Sequence, residues 1–102
     1  MAETVWEDAV ESEADEELKH PDEFFVILLN DDYTTMEFVV MILMTVFHRG
    51  FEDARRIMLN VHQRGRGVVG SYPYDIAVTK ANTVHALARE AGFPLKCAVE
   101  RL

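Results

Sequence analysis

The chain has 102 residues, room for one domain at most, and its net charge of −8 is unevenly placed. Residues 1–23 carry ten Asp and Glu against one Lys, whereas residues 24–102 carry eight acids against nine bases and are nearly neutral. Neither nucleic acid nor an anionic membrane is therefore an expected partner, because both require a basic face.

Acids occupy the N-terminal region where a secretory signal would place a basic start and an apolar block, so no such signal is expected. The longest apolar stretch, Phe38 to Phe47, is about half of the roughly 20 residues that cross a bilayer. A single cysteine, Cys97, excludes an intramolecular disulfide and a thiolate-rich zinc site. These features predict a soluble, cytoplasmic protein.

In chain order, residues 1–22 form an acidic extension in which Val5, Trp6, Val10 and Leu18 make no helical stripe, so it is expected to be disordered. It can serve as a solubilising tail or as a leash, about 22 residues reaching roughly 75 Å when extended. Residues 23–102 are expected to form the folded domain. Phe24 to Leu29 is too short an apolar run for a helix and reads as a buried strand. An acceptor-rich hinge follows, Asn30-Asp31-Asp32. Thr34 as N-cap with Glu37 three residues later predicts a capping box opening the first helix. That helix is apolar all round from Phe38 to Phe47, which predicts cover on more than one face, and His48-Arg49-Gly50 predicts its end with a glycine stop.

A second helix is expected from Phe51 to about Arg64, with Ala54, Ile57, Met58, Val61 and His62 on one face, and Gly65 ending it. Gly67 to Tyr72 reads as a short strand. Pro73 to about Ala91 forms a third helix with Ile76, Ala77, Val84, Leu87 and Ala88 inward and Gly92 as its stop; Phe93 to Val99 returns as a strand. The order β-α-α-β-α-β predicts an α+β fold, three helices on one face of a three-stranded antiparallel sheet.

The hinge sets side chains rich in acceptors at the mouth of an apolar core, which suits a positively charged group with an apolar attachment. An ammonium presents three donors. Asn30 offers an amide oxygen, Asp31 and Asp32 carboxylates, and His62 a neutral ring nitrogen. By themselves the same residues also fit a turn and helix entry, with His62 a boundary histidine and Met36 and Met58 in the core. Asp and His could make an enzyme, yet no nucleophile elbow or phosphate loop accompanies them. The histidines His20, His48, His62 and His85 show no metal-ligand spacing. In Arg64-Gly65-Arg66-Gly67 two bases are too few for a nucleic-acid footprint. No enzyme activity, metal or cofactor is expected.

Three runs in order, NDDYTTMEFV at 30–39, MLNVHQRGRG at 58–67 and PLKC at 94–97, resemble the ClpS adaptor family over residues 24–102. One departure is Thr35, where the family usually has Pro. The resemblance implies the same architecture and an adaptor that hands proteins with Leu, Phe, Tyr or Trp at their N-terminus to a bacterial Clp-type AAA+ unfoldase. It implies that Asn30 and His62 touch the substrate's amine, aided by Asp31 and Asp32 directly or through water. The hydrophobic pocket would come from Leu28, Leu29, Thr34, Met36, Val39, Met58, Val61 and Leu95. Met36 would be a gate against the stiff, branched Val and Ile. Asp75 and Lys80 match positions that contact the N-terminal domain of the chaperone, of ClpA or ClpC type. A regulator that only occupies the chaperone and changes its substrate choice is the rival reading, and a monomer is the default state.

Overall fold

A computed structural model describes residues 22–101; the acidic extension expected over residues 1–22 lies, but for Asp22, outside them. Strand β1 (Glu23–Leu29) is central, flanked by β2 (Arg66–Pro73) and β3 (Lys96–Arg101), both antiparallel to it. Helices α1 (Met36–Thr45), α2 (Phe51–Arg64) and α3 (Tyr74–Ala91) complete the expected order, three helices on one face of the sheet. The unbroken apolar run of β1 follows from its central place, and Val26, Ile27 and Leu28 are almost wholly shielded. Val26 and Leu28 share one core with α1 (Val39, Ile42, Leu43), α2 (Ala54, Ile57, Met58, Val61) and α3 (Ala77, Ala81, Val84, Ala88).

The β1–β2 ladder carries a bulge: Val26 faces Gly70 and Ile27 faces Val68, leaving Val69 as the extra residue. Its carbonyl accepts a hydrogen bond from Arg49 Nη2 at 2.6 Å. Arg49 thus anchors the α1–α2 connection to the sheet, and its backbone N–H donates to the Leu43 carbonyl.

The start of α1 differs from the sequence expectation by one residue. Thr35, not Thr34, is the N-cap, its hydroxyl accepting from the Phe38 N–H at 3.2 Å. Asp31 decides between the two threonines, because its carboxylate takes the Thr34 hydroxyl as donor at 2.7 Å. Glu37 then lies too early in the helix for a capping box. Thr35 has φ −73° and ψ 153°, which proline adopts without strain. Thr35→Pro would lose a cap worth about 1 kcal/mol and regain about 0.4–1 kcal/mol by restricting the unfolded chain. The unfolding midpoint in urea is expected to stay within measurement error of the parent's.

One further expectation is corrected. Gly50 does not stop α1: the helix ends at Thr45, His48 takes the left-handed φ of 57°, and Gly50 is the N-cap of α2. Cover of α1 extends over more than one face, since Val39, Ile42 and Leu43 are buried and Phe38 and Val40 pack against the same core, while Met36, Met41 and Met44 stay exposed. Packing against α2 and the core uses only part of its surface.

In α3 the buried stripe is Ala77, Ala81, Val84 and Ala88. Ile76, expected inward, is 47% exposed, one position off that stripe. Small side chains bring α3 close to the sheet, a pattern that favours Ala81 over the larger Ile76 as a core position. The last strand starts at Lys96 rather than Phe93, because Phe93 turns toward α1 and meets Phe38 at 5.0 Å between ring centroids.

His85 on α3 closes the sheet edge, its Nε2 accepting from the Cys97 N–H at 2.9 Å. Burial, then the cations of Lys96 and Arg89, hold the His85 pKa below the ordinary value. The folded protein thus binds a proton here less readily than the unfolded chain. Stability is full above the unfolded histidine value of about 6.5 and falls as pH drops through the lower folded value. Thermal unfolding between pH 7.5 and 5 is expected to show this decline, and His85→Gln, which can still accept, to reduce its slope.

Candidate functional site

The α2–β2 junction sets the position of the site. Gly65 ends α2 at φ +89°, a left-handed conformation open to glycine. Its carbonyl accepts the Asn30 N–H at 2.9 Å, which ties the end of β1 to the last turn of α2. Asn30 is thereby brought to the rim that also carries His62. Two residues on, Gly67 lets β2 pass so close to α2 that an added Cβ would lie 2.8 Å from Val61 Cγ2.

The hinge is ordered by one side chain. Asp31 Oδ1 accepts the N–H groups of Tyr33 and Thr34 at 2.8 and 2.7 Å, and Oδ2 accepts the Thr34 hydroxyl. Burial opposes ionisation of Asp31, but the Thr34 N–H, the Thr34 hydroxyl and the Tyr33 N–H together outweigh it and hold its pKa below the usual carboxylate value. This network turns the chain from β1 into α1 and directs Thr34 and Met36 toward one cavity.

That cavity has a volume of about 240 Å³ and is lined by Asn30, Asp31, Asp32, Thr34, Met36, Val39, Met58, Val61 and His62. Its polarity is divided. Val39, Met58 and Val61 are buried, whereas Asn30, Asp32 and His62 are exposed at the rim, and their side chains hydrogen-bond no other described residue. An apolar floor below unused acceptors can hold a group that is cationic at one end and apolar at the other. The volume falls below the roughly 300–1,000 Å³ common for small-molecule sites and suits one amino-acid residue.

Three residues that the resemblance placed in the pocket lie outside this lining. Leu28 is wholly buried in the core. Leu29 and Leu95 line a separate cavity of about 480 Å³ with His85, Arg89, Phe93 and Lys96. No sequence pattern separates them from the lining residues, because for Leu29 and Leu95 the separation depends on the path that residues 93–95 take between α3 and β3. Cys97 borders that second cavity, and burial pushes its thiol up to about 12, so little nucleophilic thiolate exists at neutral pH. Among the described residues, no group of three His, Cys, Asp or Glu could hold a metal ion, and no helix is long and apolar enough to cross a membrane.

The two residues expected to meet a chaperone are placed differently. Asp75 is exposed in the first turn of α3. Lys80 is half-buried: its Nζ donates to the Val46 carbonyl at 2.8 Å and lies 5.7 and 5.5 Å from the ring centroids of Phe47 and Tyr72. Its ammonium thus joins α3 to the end of α1. At about 100° per residue, the two side chains also leave α3 on different sides.

Residues 19–98 match the family model described as ATP-dependent Clp protease adaptor protein ClpS. The ClpS adapter of Desulforapulum autotrophicum is 58% identical over 82 residues, 80% of this chain and 79% of that protein. The adapter of Acetivibrio thermocellus is 55% identical over 91 residues, 89% and 92% of the two chains. Among solved structures, Agrobacterium tumefaciens ClpS2 bound to L-phenylalaninamide superposes with a TM-score of 0.78 at 43% identity, covering 81% of this chain and all of that one. With a fold, a length and a sequence shared from β1 into β3, the chain belongs to the ClpS family of adaptors for the ATP-dependent Clp protease.

Proposed function

We propose that the 240 Å³ cavity binds the first residue of a protein substrate, taking its free ammonium at the rim and a large apolar side chain, Leu, Phe, Tyr or Trp, on the floor. The observation that carries this reading is the junction of an apolar floor with rim acceptors, Asn30, Asp32 and His62, that hydrogen-bond no other described residue. Asn30 and His62 contact the amine, Asp32 assists, and Asp31 acts mainly by positioning, since both its oxygens already hold the loop. Met36, 44% exposed, stands at the rim where a branched Cβ would meet it. Support comes also from the ligand of the Agrobacterium relative, L-phenylalaninamide, which joins an amine to an aromatic side chain.

Two or three hydrogen bonds to a charged group, about 1.5–3 kcal/mol each, and about 2–3 kcal/mol from burying a large side chain can exceed the association cost. A micromolar Kd, about −8 kcal/mol, is within reach. Captured substrates are then delivered to a Clp-type unfoldase through a surface that includes Asp75, with Lys80 shaping it by anchoring α3.

His62→Ala is the direct test, because the side chain is exposed and carries little of the fold. Removal of one acceptor from a charged donor should weaken a Phe-initiated peptide about tenfold to hundredfold, with the unfolding midpoint unchanged. Equal affinity of parent and variant would place the amine elsewhere.

A further inference from the structure

An apolar groove of about 340 Å³ continues from the first-residue cavity between α1 and α2, lined by Met36, Glu37, Val40, Phe51, Arg55 and Met58. Met36 and Met58 belong to both, so the two spaces share a wall. Phe51, at the start of α2, is 56% exposed. On α2 it lies in line with Arg55 and Met58 at the i, i+4, i+7 spacing, and on α1 Met36 and Val40 are one turn apart.

Resting on the first-residue reading above, we propose that this groove receives the second side chain of the bound peptide and prefers it apolar. The direction follows from the amine. On the other flank, a space lined by Leu29, Tyr33, Pro94 and Lys96 shares Asn30 and Asp31 with the first cavity. That is the amine's end, where a peptide terminates rather than continues. The carbonyl leaves the first residue's Cα on a different bond from the amine, and with that end closed to the chain it is directed past Met36 and Met58, the wall that the two spaces share. Consecutive Cα atoms are about 3.8 Å apart, so the second side chain arises beside Met36 and Met58. Phe51 and Val40 then supply apolar surface to it, while Glu37 and Arg55 stand at the edges. Methionine walls adapt to side chains of different shape, which predicts a preference for apolar character rather than for one residue.

The test compares L-phenylalaninamide, Phe-Gly-amide and Phe-Leu-amide by calorimetry on the full chain and on Phe51→Ser. The parent is expected to bind Phe-Leu-amide several-fold to about tenfold tighter than Phe-Gly-amide, from apolar burial alone. Phe51→Ser should erase most of that difference and leave L-phenylalaninamide, which has no second side chain, unchanged. Equal binding of the two dipeptides by the parent would overturn the groove assignment while L-phenylalaninamide still bound. A leucine preference that survives Phe51→Ser and disappears in Tyr33→Ala would also overturn it, placing the exit on the other flank. No binding of L-phenylalaninamide would overturn the first-residue reading and the groove with it.

Discussion

Asp31→Ala is expected to weaken binding of a Phe-initiated peptide by at least about a hundredfold, more than the loss of any single amine contact. One carboxylate holds two backbone N–H groups and one hydroxyl in the turn between β1 and α1. Hydrogen bonds to a charged group contribute about 1.5–3 kcal/mol each. The site is half-exposed, so a loss of about 3 kcal/mol, well below the roughly 4.5–9 kcal/mol to which three such bonds would sum, is the reasonable expectation; 1.4 kcal/mol is about a factor of ten. Without the network Thr34 and Met36 lose their fixed approach to the cavity, and ligand binding must order the loop first. Asp31→Asn keeps an acceptor for the backbone donors and should fall between parent and alanine variant.

The acid dependence of this network has a defined sign. Its folded pKa is lowered, so its contribution is complete above the unfolded value of about 3.9 and disappears as pH falls through the lower folded value. Peptide titrations on Asp31→Ala and Asp31→Asn, with thermal unfolding of each, separate the loop's role from global stability. Affinity within threefold of the parent in both variants would mean that the turn is held by other contacts.

Gly67→Ala should lower stability and affinity together. Its added Cβ would sit 2.8 Å from Val61 Cγ2, with the Val61 nitrogen at 3.5 Å and the Ile57 carbonyl at 3.6 Å behind it. Valine in a helix has one strongly preferred rotamer, so the side chain cannot turn away cheaply. Either α2 lifts from β2 or Val61 enters the cavity that it lines. Overpacking of this kind costs about 1–3 kcal/mol, and the displaced wall should reduce affinity several-fold. Urea unfolding and peptide titration on the one variant measure both effects. Unchanged stability would show that the α2–β2 contact is looser than the distance indicates.

Much of this architecture was legible in the residues. Phe24–Leu29 and the Ala54, Ile57, Met58, Val61 stripe have the periods of a central strand and an amphipathic helix, and Gly65 and Gly92 mark helix ends with positive φ. Local competition was harder to read. Thr34 and Thr35 are equally good caps by type, and only the reach of Asp31 across the turn selects the second. His48 takes the left-handed position expected of Gly50, next to Arg49, which is held at the Val69 carbonyl.

The cavity shows the same division. Asn30 to Met36 are close in sequence, and His62 shares the last turns of α2 with Met58 and Val61; the Asn30–Gly65 hydrogen bond and the packing of Val39 with Met58 and Val61 in one core bring the two groups together. Leu95 and Phe51 depend on longer paths. Leu95 sits between α3 and β3 in a segment that lines the second cavity, and the groove beside Phe51 exists only where α1 and α2 lie side by side.

The most direct measurement is fluorescence anisotropy with one labelled peptide beginning in Phe, its amine free in one sample and acetylated in the other. A Kd near micromolar is expected for the free amine, about −8 kcal/mol, with at least about a hundredfold weaker binding after acetylation, which removes the charge and two of the three donors. Equal binding of the two peptides would contradict recognition of the ammonium by Asn30, His62 and the hinge.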